Sequence, residues 1–282
     1  MSVQCLALLF FVYQFGVGSC VHNGLTVGEI DLIGDEEIFR AYSTDFPYMV
    51  EVLQDDKHVC GGVLLSLEII ITAAECFSDM KNKREVERYT LIAGNQISND
   101  LSGPTVQWRK VKKVVKHNII TSLKNDIALV KSESPFRETD YIKSIALPTG
   151  YESNGFNGEE VMQLGWGSTE QGSDSNVLLK IKGFVPIWRE CLADSYDEWK
   201  PTERKVLCIQ GLDKGALCYK DEGGPTVILD ADDPSKDILV GVTLSGFTKP
   251  GWNCDDSKPS LVANVAMHLD WINKTMADRF NN

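Results

Sequence analysis

The hydrophobic positions of this chain fall into short runs, not long periodic stripes. YMVEVLQ, GGVLLS, IIITAA, YTLIAGN, RKVKKVVKH, DIALVK, VMQLGWG, LLKIKGFV, KVLCIQ, PTVILD and DILVGVTL are rich in Val, Ile, Leu and aromatic residues. Gly, Pro, Asn, Asp and Ser separate them, the residue types that supply turns. Many short strands at such spacing predict an all-β sandwich or barrel. Only VAMHLDWINKTMADRF, near the C-terminus, has helical spacing, with Ala266, Leu269, Trp271, Ile272 and Met276 on one stripe. No internal repeat or low-complexity linker is visible. LPTGYESNGFNGEE, Leu147 to Glu160, is the most loop-like long stretch and the candidate boundary between two halves.

One apolar run stands apart. MSVQCLALLFFVYQFGVGSC carries no charged side chain, its segment Cys5 to Val12 is apolar, and small residues follow at Gly16, Gly18 and Ser19. This pattern predicts a signal peptide over residues 1–20, followed by a short polar lead over 21–31. No later stretch approaches the ~20 apolar residues of a membrane span. The expectation is a secreted, extracellular protein without a membrane span.

Composition sharpens this picture. The 282 residues are 43% hydrophobic, enough for a sizeable core. Forty acidic against 28 basic residues give a net charge of −12, which argues against nucleic-acid binding. The exception is local: Arg109, Lys110, Lys112, Lys113 and Lys116 lie within RKVKKVVKH. They form a candidate polyanion site, although a solvated strand face with Val111, Val114 and Val115 turned inward is the stronger reading. Of eight cysteines, Cys5 lies in the leader and Cys20 at its end: cleavage after Cys20 removes it, and cleavage after Ser19 leaves it unpaired and free for an intermolecular bond. The remaining six are an even number suited to three disulfides in an oxidising compartment. His22, His58, His117 and His268 are too scattered for a zinc site, so no metal and no cofactor is assigned. Asn273-Lys274-Thr275 is the only N-glycosylation sequon.

Three segments together resemble the chymotrypsin-like, trypsin-fold serine protease family. HVCGGVLLSLEIIITAAECF is similar to the family's Cys-Gly-Gly strand leading to Ala-Ala-His-Cys. NDIALVK is similar to its Asn-Asp-Ile-Ala-Leu segment, and CYKDEGGP to its Cys-x-Gly-Asp-Ser-Gly-Gly-Pro. FPYMV, GWG and the Trp271 helix also fall in the expected order. The resemblance covers about residues 32–276. It implies two six-stranded antiparallel β-barrels (about 32–146 and 147–264), a C-terminal helix over about 265–279, and an active site in the cleft between the barrels. It also implies the disulfides Cys60–Cys76, Cys191–Cys208 and Cys218–Cys254.

Carried over residue by residue, the resemblance puts Glu75 at the position of the general base, Asp126 at that of the orienting carboxylate and Glu222 at that of the nucleophile. Lys220 stands where the family has an oxyanion-hole glycine. The substrate-pocket positions read Ala216, Leu244, Ser245, Gly246 and Ser260. The activation-type terminus resembles LIGD, Leu32 to Asp35, but Asp31 precedes it, and the first basic residue of the chain is Arg40. Serine-type hydrolysis needs a hydroxyl, a base and an oriented carboxylate. These replacements therefore lead to the expectation that the chain is not an enzyme but an inactive, insect-like homologue, a pseudo-protease that works by binding. Its partners would be proteases, inhibitors or protease substrates, in immune or reproductive fluid. Two alternatives remain on the same fold: a cation- or polyanion-binding protein, since carboxylate clusters suit Ca²⁺, and a hydrolase that uses its carboxylates.

Overall fold

The computed structural model describes residues 40–117, 125–149, 155–168, 174–187, 204–212, 217–245 and 258–280. Six strands form the first barrel: β1 (Met49–Gln54), β2 (Lys57–Leu64), β3 (Ile69–Thr72), β4 (Tyr89–Ala93), β5 (Gln107–Lys116) and β6 (Ala128–Ser132). They close in the order β1-β2-β3-β6-β5-β4. Another six form the second: β7 (Glu160–Gly165), β8 (Leu179–Phe184), β9 (Val206–Gly211), β10 (Pro225–Ile228), β11 (Ile238–Ser245) and β12 (Ser260–Asn264). These close as β10-β11-β12-β9-β8-β7, and the strand pairs of both barrels are antiparallel. Closure leaves no unpaired edge to aggregate. The architecture is the all-β, two-barrel fold that the resemblance implies.

Local chemistry fixes the registers. Gln54 pairs with Lys57, and the two residues between them, Asp55 and Asp56, both take positive φ (50° and 62°). Two consecutive left-handed residues make the turn whose twist suits a two-residue hairpin, and Asp tolerates that conformation well. Val50, Val52, Leu64, Ile70, Ile71, Leu91, Ile92, Leu129 and Val130 are fully buried in the first barrel, with Val227, Val240, Val242 and Val262 in the second. Trp166 and Tyr48 are among the largest fully buried side chains.

The chain ends in helix α1 (Leu269–Phe280), entered through a 3-10 turn at Val265–His268. Ile272 and Phe280 are buried, while Leu269, Trp271 and Met276 pack half-buried on the core. The last carbonyls of a helix lack partners within it. Here the first barrel supplies them: Lys113 Nζ donates to the Arg279 carbonyl (2.5 Å) and Lys131 Nζ to that of Phe280 (2.8 Å).

The same contacts bear on the candidate polyanion site. Lys110 Nζ donates to Thr90 Oγ1 and Lys116 Nζ to the Phe77 carbonyl. Arg109 donates to the Pro135 carbonyl and stacks its guanidinium on Phe136. Only Lys112 of the five cations has no such contact in the described residues and stands exposed on β5. Most of this run is thus engaged in holding the fold.

Cys60 on β2 is bonded to Cys76, with Cα atoms 6.1 Å apart. Cys208 and Cys218 are also disulfide-bonded. Their implied partners, Cys191 and Cys254, lie outside the described residues, as do the leader over 1–20 and the LIGD segment.

Candidate functional site at the barrel junction

The two barrels meet through glycines. A Cβ on Gly61 of β2 would lie 2.8 Å from Gly224 Cα. Gly223 has φ +81°, and a Cβ there would meet Thr72 Oγ1 at 2.1 Å and the Gly61 carbonyl at 2.4 Å. Only glycine permits both the conformation and the approach. The Gly61 N–H donates across the seam to the Glu222 carbonyl at 2.8 Å. The loop 218–224 is thereby pressed onto the ends of β2 and β3, and Glu222 is delivered beside the turn that carries Glu75.

Asp126 completes the group from just before β6. It is 1% exposed, and its Oδ1 accepts the Glu75 backbone N–H at 2.8 Å. Its Oδ2 has no hydrogen-bond partner among the described residues. Burial pushes the Asp126 carboxyl up to about 6, with help from the Glu75 charge and against the backbone of Glu75 and Ala74 and the Lys116 charge. Burial likewise pushes Glu222 up to about 7, with Asp221 and Glu75 adding to the rise. Glu75 itself is exposed. Asp126 and Glu222 are thus the two carboxyls of the trio whose pKa burial raises.

Lys220 has φ +74°, a left-handed conformation that costs a non-glycine residue about 1–2 kcal/mol. Three contacts hold it there. Its N–H donates to Glu222 Oε2 (2.7 Å), its carbonyl accepts from His58 Nε2 (3.1 Å), and its Nζ pairs with Asp174 Oδ2 (2.5 Å). Next to it, Asp221 is buried. Its Oδ1 accepts the Gly167 N–H and its Oδ2 the Cys218 N–H, both at 2.8 Å, and burial pushes its carboxyl up to about 6.

Sequence reasoning missed the support beneath this loop. Glu51 on β1 is completely buried and gathers donors from four residues: His58 Nδ1 (2.9 Å), Asn95 Nδ2 (2.6 Å), Ser98 Oγ (2.6 Å) and the Asn99 N–H. Both His58 nitrogens face oxygens that accept, which is the pattern of an imidazolium. Burial opposes the charge, but Glu51 and the Lys220 carbonyl outweigh it, so the His58 pKa is raised. The available signal was Glu51 itself, a carboxylate inside the apolar run YMVEVLQ.

The pocket positions divide. Leu244 is buried, and Ser260, 5% exposed, donates through Oγ to Gln163 Oε1 at 2.9 Å. Ser245 closes β11, whereas Ala216 and Gly246 lie outside the described residues. Asn273 is exposed on α1, while Thr275 of its sequon is buried. Among the described residues, no three His, Cys, Asp or Glu side chains are grouped to hold a metal ion, and no helix is long and apolar enough to cross a membrane.

The chain is 28% identical over 278 residues to trypsin eta of Drosophila melanogaster, covering 96% of each chain. It is 29% identical over 252 residues to granzyme M of Rattus norvegicus, covering 88% of this chain and 90% of that one. A venom serine protease of Polistes dominula is 26% identical over 239 residues, covering 84% and 83% respectively. These matches correct one expectation. The chain was expected not to be an enzyme, yet the relatives carry the names of proteases, and the likeness points to a protease. Glu75 and Glu222 were set at the two positions by the resemblance alone, and that reading does not license the step to an absent activity. The profile of the Trypsin family matches residues 37–272, and the chain belongs to that family.

Proposed function

We propose that this secreted member of the trypsin family engages protein partners at the junction of its barrels. The partners are proteases, their inhibitors or their substrates, and the role is that of a cofactor, decoy or modulator in a proteolytic cascade of immune or reproductive fluid. The observation that carries this reading is the pairing of a retained frame with altered contents. Glycine contacts hold the loop 218–224 against β2 and β3, Asp221 ties that loop to Gly167 and to its own Cys218, and the Cys60–Cys76 bond ties the Glu75 turn to β2. The groups delivered to that frame are the carboxyls Glu75, Asp126 and Glu222. An acidic junction suits a basic or neutral polypeptide segment better than an acidic one. The test is capture of the tagged protein from its native fluid, in parallel with Glu75→Arg. A protease, inhibitor or protease substrate held by the native chain and lost with the variant supports the reading. Equal capture by both excludes the junction.

A second reading has its own observation. Glu222 titrates at about 7 and Asp126 at about 6, values that suit proton donors and acceptors near neutral pH. Hydrolysis at this site would then run through carboxyl groups, because neither position offers a hydroxyl or an imidazole. Turnover of peptide amides or esters that follows these two titrations and disappears in Glu222→Gln supports this reading. Turnover indifferent to that change removes it.

A further inference from the structure

The turn that carries Glu75 is held at each of its three residues. Asp126 Oδ1 accepts the Glu75 N–H at 2.8 Å, Cys76 is bonded to Cys60 on β2, and the Phe77 carbonyl accepts from Lys116 Nζ at 2.8 Å. Cys76 and Phe77 are buried, so Glu75 is the residue of the turn that stands exposed. The two polar holds come from adjacent strands. Lys116 closes β5 and pairs with Ala128, which opens β6 two residues after Asp126. The β5–β6 ladder therefore fixes the placing of Lys116 relative to Asp126. Their chemistry also matches the turn. A carboxyl faces its leading N–H and an ammonium its last carbonyl, the order that aligned peptide dipoles favour.

Lys116 differs from the other lysines of its strand. Lys112 is exposed, Lys110 reaches Thr90, and Lys113 reaches the end of α1. Lys116 is half-buried, and burial lowers its pKa, with the Asp126 charge acting against the fall. The Phe77 carbonyl also accepts the Met80 N–H at 3.1 Å, so Lys116 is not needed to satisfy that oxygen. What its charge-assisted bond adds is a tie between the turn and β5.

We propose that Lys116 is the positioning residue of the Glu75 turn: it clamps the last carbonyl of the turn while Asp126 holds the first N–H, and the clamp fixes where the Glu75 carboxyl stands at the junction. It acts through the backbone of the turn. The inference rests on the proposed function only for what the Glu75 carboxyl meets, since the clamp is a property of the isolated chain.

The test is amide hydrogen exchange, read by NMR on the full chain, in the native protein, Lys116→Met and Lys116→Arg. Met keeps most of the side-chain length and removes its charge and donors, and Arg restores both. In Lys116→Met the amides of Glu75 and Ser78, which bond to Asp126 and to the Glu75 carbonyl, should exchange about tenfold faster. The amides of β9 in the second barrel should keep their rates, and Lys116→Arg should restore the turn. A second readout follows the Glu75 charge itself, which contributes to the raised pKa of Glu222. Lys116→Met should move the Glu222 titration to lower pH, as the loosened turn carries that charge toward solvent, and should not do so in a Glu75→Gln background. Turn amides unchanged by Lys116→Met, a rise shared equally by β9, no recovery in Lys116→Arg, or a Glu222 titration that responds alike in both backgrounds overturns the proposal. If Lys116→Met does not fold, the native chain decides. The Lys116 ammonium hydrogens should exchange with water more slowly than those of the exposed Lys112, and equal rates refute the clamp. None of these readings requires a protein partner, so failure of the proposed function leaves this test standing.

Discussion

His58 Nε2 donates to the Lys220 carbonyl across 3.1 Å, tying β2 of the first barrel to the junction loop of the second. Its other nitrogen is held by Glu51, which is buried on β1. A buried charge without its partner is costly, so removing either end should weaken the fold well beyond a surface change. Glu51→Gln should lower unfolding stability by about 3 kcal/mol, because the new amide would point a donor at groups that already donate. Urea unfolding measures this, and a loss below about 0.5 kcal/mol, the range of surface substitutions, would show that the carboxylate is not what holds the network.

The pH dependence of stability follows from the same groups. The His58 pKa is raised, so its contribution is complete below its ordinary value near 6.5 and is lost as pH rises through the folded value. Asp126 and Asp221 at about 6, and Glu222 at about 7, are raised carboxyls. Their contribution is complete below the ordinary carboxyl range and is lost as pH rises through about 6 to 7. All four groups act in one direction, so stability should fall from pH 5 to pH 8. Asp174 acts in the opposite sense. Lys220 and Ser168 outweigh its burial and lower its pKa, and its contribution goes as pH falls below about 4. Denaturant midpoints across this range test the slope, and a midpoint that rises toward pH 8 would contradict it.

Asp126→Asn isolates one of these groups. The amide oxygen can still accept the Glu75 N–H, while the charge that burial penalises is gone. Stability at pH 8 should rise by about 1–3 kcal/mol, with little change at pH 4. A loss at pH 8 would mean that the ionised carboxylate has a favourable partner, and that Oδ2 is not isolated.

The Cys60–Cys76 bond anchors the turn that carries Glu75 to β2. It closes a loop of about 15 residues, a constraint worth about 3 kcal/mol. Replacing both cysteines by alanine should cost about that much in thermal or urea unfolding. A cost below about 1 kcal/mol would show that the glycine contacts alone keep the turn in place.

Much of the architecture was legible in the chain. Short β-branched runs between turn residues announced strands, and the resemblance carried by CGG, NDIAL and DEGGP implied the two barrels that they build. The presence of the helix was readable from its apolar stripe, but neither its start at Leu269 after a 3-10 turn nor its docking was. Lys113 and Lys131 cap its last carbonyls from strands more than a hundred residues away, and in sequence Lys113 read as part of a basic patch. The three carboxyl residues were legible in sequence, but which of them are buried was not: Asp126 is 1% exposed, and burial raises both Asp126 and Glu222. Glu51 and His58 were hidden for a simpler reason. A buried carboxylate is recognised by donors brought from four residues, and no local pattern predicts that convergence.

The account stands on the junction being where a polypeptide partner is taken up. Calorimetric titration with a small inhibitor protein that presents an extended loop to trypsin-family members tests this most directly. The account predicts saturable one-to-one binding by the native chain, weakened at least tenfold by Glu75→Arg and unchanged by Lys112→Ala on the far strand face. Absence of binding, or equal affinity in Glu75→Arg, would contradict it.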